Sequence, residues 1–216
     1  MSTRAQDAWS KIALLAILDA AHRKGRRSVS NAIAQKLTFL TELQGREIHL
    51  KAAYYRFFRF NNGPYSKALA NDITFLEEGG FIDPETRELS QRGFFLFRYV
   101  RPEIERSELG LQVLQLIDQV CVEWDKYRGW DLVKAVYQLT VPVDALNGER
   151  MLVDKIPMLT DIIIPERSDA RDVQPFAPEI VDDIYSELSL SPERLDPDNP
   201  ALWESVLANL DAAFSR

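Results

Sequence analysis

The chain has one cysteine, two histidines and nine glycines among its 216 residues, and each scarcity removes a class of chemistry. A lone thiol, Cys121, forms no internal disulfide, which fits a reducing, cytoplasmic setting. Cys121 also falls in an apolar helical stripe, where a buried, inert thiol is the common case and a nucleophile the rare one. His22 and His49 lie in different elements with no cysteine or histidine at ligand spacing, so both read as structural or surface residues rather than zinc ligands. Neither Gly63-Pro64 nor Gly79-Gly80 has the spacing of a phosphate-cradling loop or a dinucleotide fingerprint. The adjacent acids Glu77-Glu78 and Asp182-Asp183 point in different directions on a helix, which makes them solvated surface rather than paired carboxylates. No run approaches the roughly 18 apolar residues of a membrane span, the closest being residues 12–18. The start, MSTRAQDAWSK, lacks the apolar core of a secretion signal. The expectation is a soluble cytoplasmic protein that is not an enzyme and carries no cofactor and no metal.

What is present is enough apolar content, 46%, for one ordinary core or a core with a smaller appendage. The net charge of −7 hides an asymmetry. Residues 1–101 carry 16 Lys/Arg against 10 Asp/Glu, and residues 102–216 carry 10 against 23. Such a split marks different partners for the two halves, or an acidic part folded back on a basic one, or charges solvated on opposite faces.

Apolar residues at helical spacing place a first helix at 9–22, stopped by Lys24-Gly25, and a second at 30–43, capped by Ser30 and ended by Gly45. A basic loop, residues 23–27, joins them. The aromatic segment 54–60 (YYRFFRF) reads as a strand broken by Asn61-Asn62-Gly63-Pro64. Ser66 caps a third helix to residue 78 that buries Leu69, Ile73 and Leu76. Residues 81–83 and 88–90 then form a hairpin, a wing. An aromatic helix follows, broken near Pro102, and Ser107 opens a long amphipathic helix through Trp124. Residues 130–139 make another helix, 142–171 show no strong periodicity, and short helices at 178–188 and 200–214 end the chain. The fold class is mainly α with a small β-hairpin. A winged helix-turn-helix-like domain spans 1–101, a helical extension packed on it spans 102–141, and an acidic arm with two C-terminal helices spans 142–216.

Three stretches carry a resemblance: Lys36-Leu37-Thr38-Phe39-Leu40; Phe60-Asn61-Asn62-Gly63-Pro64-Tyr65-Ser66-Lys67-Ala68-Leu69; and Leu76-Glu77-Glu78-Gly79-Gly80-Phe81-Ile82. Together they resemble the YwgA-like proteins and, more remotely, the Panacea domain of SocA-type antitoxins. Leu132-Val133-Lys134-Ala135-Val136-Tyr137 is similar to a further helix there, so the resemblance covers about residues 10–140. It implies a winged-helix module of bacterial and phage settings, often beside toxin or defence genes, that neutralises or senses a protein partner. Panacea domains usually have Trp-x-Tyr-Gly-Pro where this chain has Phe60-Asn61-Asn62-Gly63-Pro64. The motif residues Gly63, Pro64 and Tyr65 also have a plain structural reading: a positive φ at Gly63, a first helical turn set by Pro64, and Tyr65 packed on Phe60 or Phe81.

Two functions of different class compete. The first is a protein-binding module, with a toxin among its candidate partners, whose partner surface is formed by the stripes of the last two helices, Ile180 and Ile184 on one and Trp203, Leu207 and Phe214 on the other. The region 144–172, with Ile156, Met158, Leu159, Ile162, Ile163 and Ile164, is an arm over this chain's own core or over another chain. The alternative is a DNA-binding regulator using Arg26, Arg27, Lys67, Asn71, Arg87 and Arg92. Against it, the third helix carries Asp72, Glu77 and Glu78 where a groove reader would meet phosphate. A homodimer is compatible with either.

Overall fold

The computed structural model describes residues 3–189. Its centre is a pair of helices, α1 (Arg4–Arg23) and α2 (Asn31–Glu47). Both are buried around much of their circumference, as the core position requires: α1 encloses Trp9, Ile12, Leu15 and Ile17, and α2 encloses Ile33, Leu37, Phe39 and Leu40. Three serine caps anticipated from the sequence form. Ser30 Oγ accepts from Ile33 N, Ser66 Oγ from Leu69 N at the start of α3 (Lys67–Glu78), and Ser107 Oγ from Gly110 N at the start of α5 (Glu108–Glu123). The buried face of α3 is Leu69, Ile73 and Leu76.

Several boundaries differ from the sequence reading. Gly45 lies inside α2, where a Cβ would sit 2.8 Å from the Leu50 carbonyl oxygen. The glycine serves close approach of the next segment rather than termination. Helix α4 (Gln91–Arg106) runs through Pro102 instead of breaking there. The proline leaves the Arg98 carbonyl without its i→i−4 donor, and Arg98 is exposed, so water can satisfy it. A boundary at 101 therefore falls inside α4, and one at 141 falls inside β4 (Thr140–Val143). After α5 come α6 (Trp130–Tyr137) and, near the end of the described residues, α7 (Pro178–Ser189).

The expected wing at 81–90 is one bridge, Ile82 to Leu89, with no strand on either side. Its turn is held down instead of projecting. Asp83 accepts from the Glu85 and Thr86 amides, and the Thr86 carbonyl accepts from Val29 N at 2.9 Å. Among the described residues the strands lie elsewhere, in three small sheets. β1 (Leu50–Lys51) pairs in parallel with β7 (Arg171–Asp172), and β4 forms a hairpin with β5 (Glu149–Leu152). The third sheet has the order β3 (Gly63–Tyr65), β2 (Phe57–Phe60), β6 (Asp161–Ile163), all antiparallel. The segment without periodicity is thus the source of four strands. It lies over the chain's own core, burying Val153, Ile156, Ile162 and Ile163. Among the described residues the fold is mainly helical with small sheets, and no helix is long and apolar enough to cross a membrane.

Candidate functional site

Helix α2 carries five polar residues into the core: Gln35, Lys36, Thr38, Thr41 and Glu42. Two of them hold the β3 segment and the start of α3. The Gln35 amide pairs with the Ser66 backbone, donating to its carbonyl (2.9 Å) and accepting from its N–H (2.8 Å). One residue on, Lys36 Nζ donates to the Pro64 carbonyl at 2.7 Å. From α6, the Tyr137 hydroxyl donates to the Asn61 carbonyl. Lys36, the Gly63-Pro64 pair and Tyr137 belong to three separate stretches of the resemblance, and the fold brings them together.

Arg59 completes the cluster. On β2 the alternation places Phe57 and Arg59 inward, Phe58 and Phe60 outward. Arg59 Nε donates to the Val153 carbonyl at 3.0 Å, its Nη1 to the Phe60 carbonyl, and its guanidinium lies 4.8 Å above the Tyr137 ring. Burial, reinforced by the nearby Arg59 charge, pushes the Lys36 ammonium down to about 7. On the same helix burial pushes the Glu42 carboxyl up to about 8, although Ala53 N–H donates to it.

Gly63 has φ +88°, the conformation that favours glycine. Pro64 does not open the helix. It lies on the edge strand β3 opposite Arg59, where a missing N–H costs nothing. Tyr65 packs on Phe58 (5.7 Å) and Phe60 (5.4 Å) and not on the Phe81 ring.

The outward face of this sheet is aromatic: Phe58, Phe60 and Tyr65 form a mutually contacting triad, with Phe60 39% exposed. Beside it runs the turn at 157–160, closed by Thr160 N donating to the Pro157 carbonyl. Leu159 N donates to the Arg59 carbonyl at 2.8 Å, which sets Leu159 next to Phe60 along the sheet. Leu159 has φ +63° and is 68% exposed, and Met158 before it is 50% exposed. Glycine or asparagine is the ordinary occupant of such a turn position. A leucine there carries backbone strain without a buried contact in return, the pattern found at functional surfaces.

The other sequence candidates are placed differently. Arg26 is buried and donates to the Trp124 and Tyr127 carbonyls. Arg87 pairs with Glu77 and the Val29 carbonyl, and Arg92 is buried against Glu187, the Gly79 carbonyl and the Phe81 ring. Arg27, Lys67 and Asn71 remain exposed. Arg26 and Arg27 line a cleft of about 740 Å³ at the end of α1, and Asp19 and Glu88 line it too. The six residues proposed for DNA therefore do not make one basic surface.

Of the proposed partner stripe, Ile184 is fully buried and Ile180 half-buried. Helix α7 is anchored on α1 and α4: Tyr185 OH donates to Asp7, Arg4 pairs with Asp182, Arg92 with Glu187, and Tyr99 OH donates to Asp183. Its apolar face covers this chain's own core. Trp203, Leu207 and Phe214 lie outside the described residues. Among the described residues no group of three or more His, Cys, Asp or Glu is placed to hold a metal ion. Cys121 is buried, which pushes its thiol up to about 12.

Set against known protein families, curated proteins and solved structures, the chain matches none.

The placement of Arg59 beside Lys36 and the exposure of Leu159 were not anticipated from the sequence. For Arg59 the signal was present, since YYRFFRF alternates and puts arginine on the same side as Phe57. For Leu159 only the apolar run between prolines hinted at exposure, because a backbone angle leaves no mark in a sequence.

Proposed function

We propose that this protein is a non-enzymatic binding module that acts through protein–protein interaction. In keeping with the YwgA-like and Panacea resemblance, it would be an antitoxin-like or defence-associated protein of a bacterial or phage setting. The element order supports a winged-helix kinship: two helices, an extended segment, a third helix and then a turn reduced to one bridge. The observation that carries the reading is Leu159, strained and exposed at the edge of an aromatic sheet face. Exposed apolar residues set beside aromatic anchors are the material of binding hot spots. We therefore assign the partner surface to the outer face of β2 and β3 with the turn at 157–160, in place of the Ile180 and Ile184 face of α7.

The test is recovery of tagged full-length protein from its native host, comparing the wild type with Phe60→Ser/Leu159→Ser and with a control, Val122→Ser, at an exposed position on α5. The wild type and the control are expected to retain the same partner, and the face variant to lose at least about tenfold of it. A folded face variant that recovers the partner in full places the surface elsewhere.

A further inference from the structure

We propose that Lys36 and Arg59 form an anion-binding site beside the turn at residues 61–63, taking a single oxyanion: a carboxylate or a phosphate group. The warrant is a pair of cations buried without a counter-charge. Lys36 is 2% exposed and Arg59 9%, and neither is in an ion pair with any described residue. Every acceptor they meet is a neutral carbonyl: Pro64 for Lys36, Val153 and Phe60 for Arg59. An ammonium has three protons to donate, and one is accounted for; Arg59 Nη2 has no acceptor among the described residues. Buried charges in proteins are paired or hydrogen-bonded to capacity, because desolvation otherwise opposes them. Two cationic side chains facing each other without a counter-charge meet that cost only by Lys36 giving up its proton, and an oxyanion between them would restore the charged amine.

The turn also has space for one heavy atom, the leading oxygen of such an anion. A Cβ on Gly63 would lie 3.5 Å from Lys36 Cε, 3.8 Å from its Nζ and 3.6 Å from Tyr137 Cε2, all ordinary contact distances. Space for one heavy atom therefore lies beside the ammonium. The guanidinium is fixed in orientation by the Tyr137 ring and two carbonyls, so its fork is set in advance rather than ordered on binding. Asn61 and Asn62 are exposed along the same turn. The inference stands apart from the aromatic face, since a folded chain can take an oxyanion whether or not a protein docks there.

The experiment follows the Lys36 side-chain titration by NMR in the full chain, in sodium chloride, sodium phosphate or sodium N-acetylglutamate at equal ionic strength. An oxyanion favours the charged amine, so at least one of the two is expected to raise the midpoint from about 7 by on the order of one unit. That rise should vanish in Arg59→Gln. Should this variant not fold, a saturable rise of the wild-type unfolding midpoint with the same anion, absent with chloride, takes its place as support. A response to N-acetylglutamate identifies a carboxylate presented by a protein or peptide; a response to phosphate alone identifies a phosphate group. A midpoint identical in all three salts, or a rise kept in full by Arg59→Gln, overturns the site.

Discussion

Glu42→Gln is expected to raise the stability of the folded chain by about 3 kcal/mol at pH 7, an order-of-magnitude figure from the linkage between proton binding and folding. The carboxyl is fully buried and held up at about 8, against an ordinary 4.5, because burial outweighs the donation from the Ala53 amide. Its folded value is the higher one. Its contribution is therefore fully present below pH 4.5 and is lost progressively as pH rises to about 8. Lys36 acts in the opposite sense. Burial and Arg59 lower it from 10.5 to about 7, so its contribution is fully present above pH 10.5 and is lost as pH falls to about 7. Together the two groups place a stability minimum near pH 7 to 8. Denaturation midpoints from pH 5 to 10 are expected to trace that minimum in the wild type. Glu42→Gln should remove the falling limb and Lys36→Met the rising one. A wild-type profile without a minimum, left unchanged in shape by either substitution, would mean that these side chains are hydrated in the folded state.

Gly93→Ala is expected to cost about 3 kcal/mol or more, the upper range for forcing extra atoms into a packed interior. Gly93 is the third residue of α4, and its N–H donates to the Ser90 cap. An alanine Cβ there would stand 2.0 Å from the Phe81 carbonyl oxygen and 3.0 Å from its carbon. The obstruction is backbone, so no side-chain rotation relieves it. The first turn of α4 must move away from Phe81, which also pulls Arg92 from the Gly79 carbonyl and from the Phe81 ring. Gly25→Ala is the comparison: at the end of α1, with φ +88° and nothing within 4 Å of the added carbon, it costs only backbone strain, about 1 kcal/mol. Equal urea midpoints for the two variants would contradict the close approach of α4 to Phe81.

The two substitutions also show where sequence reasoning reaches and where it stops. The helical half was legible because its signals are local: Ser30, Ser66 and Ser107 each lie three residues before an amide they cap, and Leu69, Ile73 and Leu76 repeat at helical spacing. Of the strands only β2 was, within the aromatic segment 54–60, and β6 and β7 were not, because their partners are distant. β6 meets β2, and β7 meets β1, across more than a hundred residues, and strands of two or three residues carry too few alternations to be seen. The stripe on α7 was legible as apolar, but not the surface that covers it. An amphipathic helix shows the same pattern whether α1 or another protein covers it, and here α1 does. In the same way Arg26 and Arg92 counted as available cations until the Trp124 and Gly79 carbonyls were seen to hold them. Gly63, Pro64 and Tyr65 were found by their motif. What they assemble, with Lys36, Arg59 and Tyr137, required the fold.

The most direct test of the partner surface is amide hydrogen exchange on the complex recovered from the native host, compared with the free chain. Protection on binding is expected across β2 and β3 and in the turn at 157–160, with α5 and the exposed side of α3 unchanged. Protection concentrated on α3 and the basic loop at 23–27, with β2 and the turn at 157–160 exchanging as in the free chain, would contradict it.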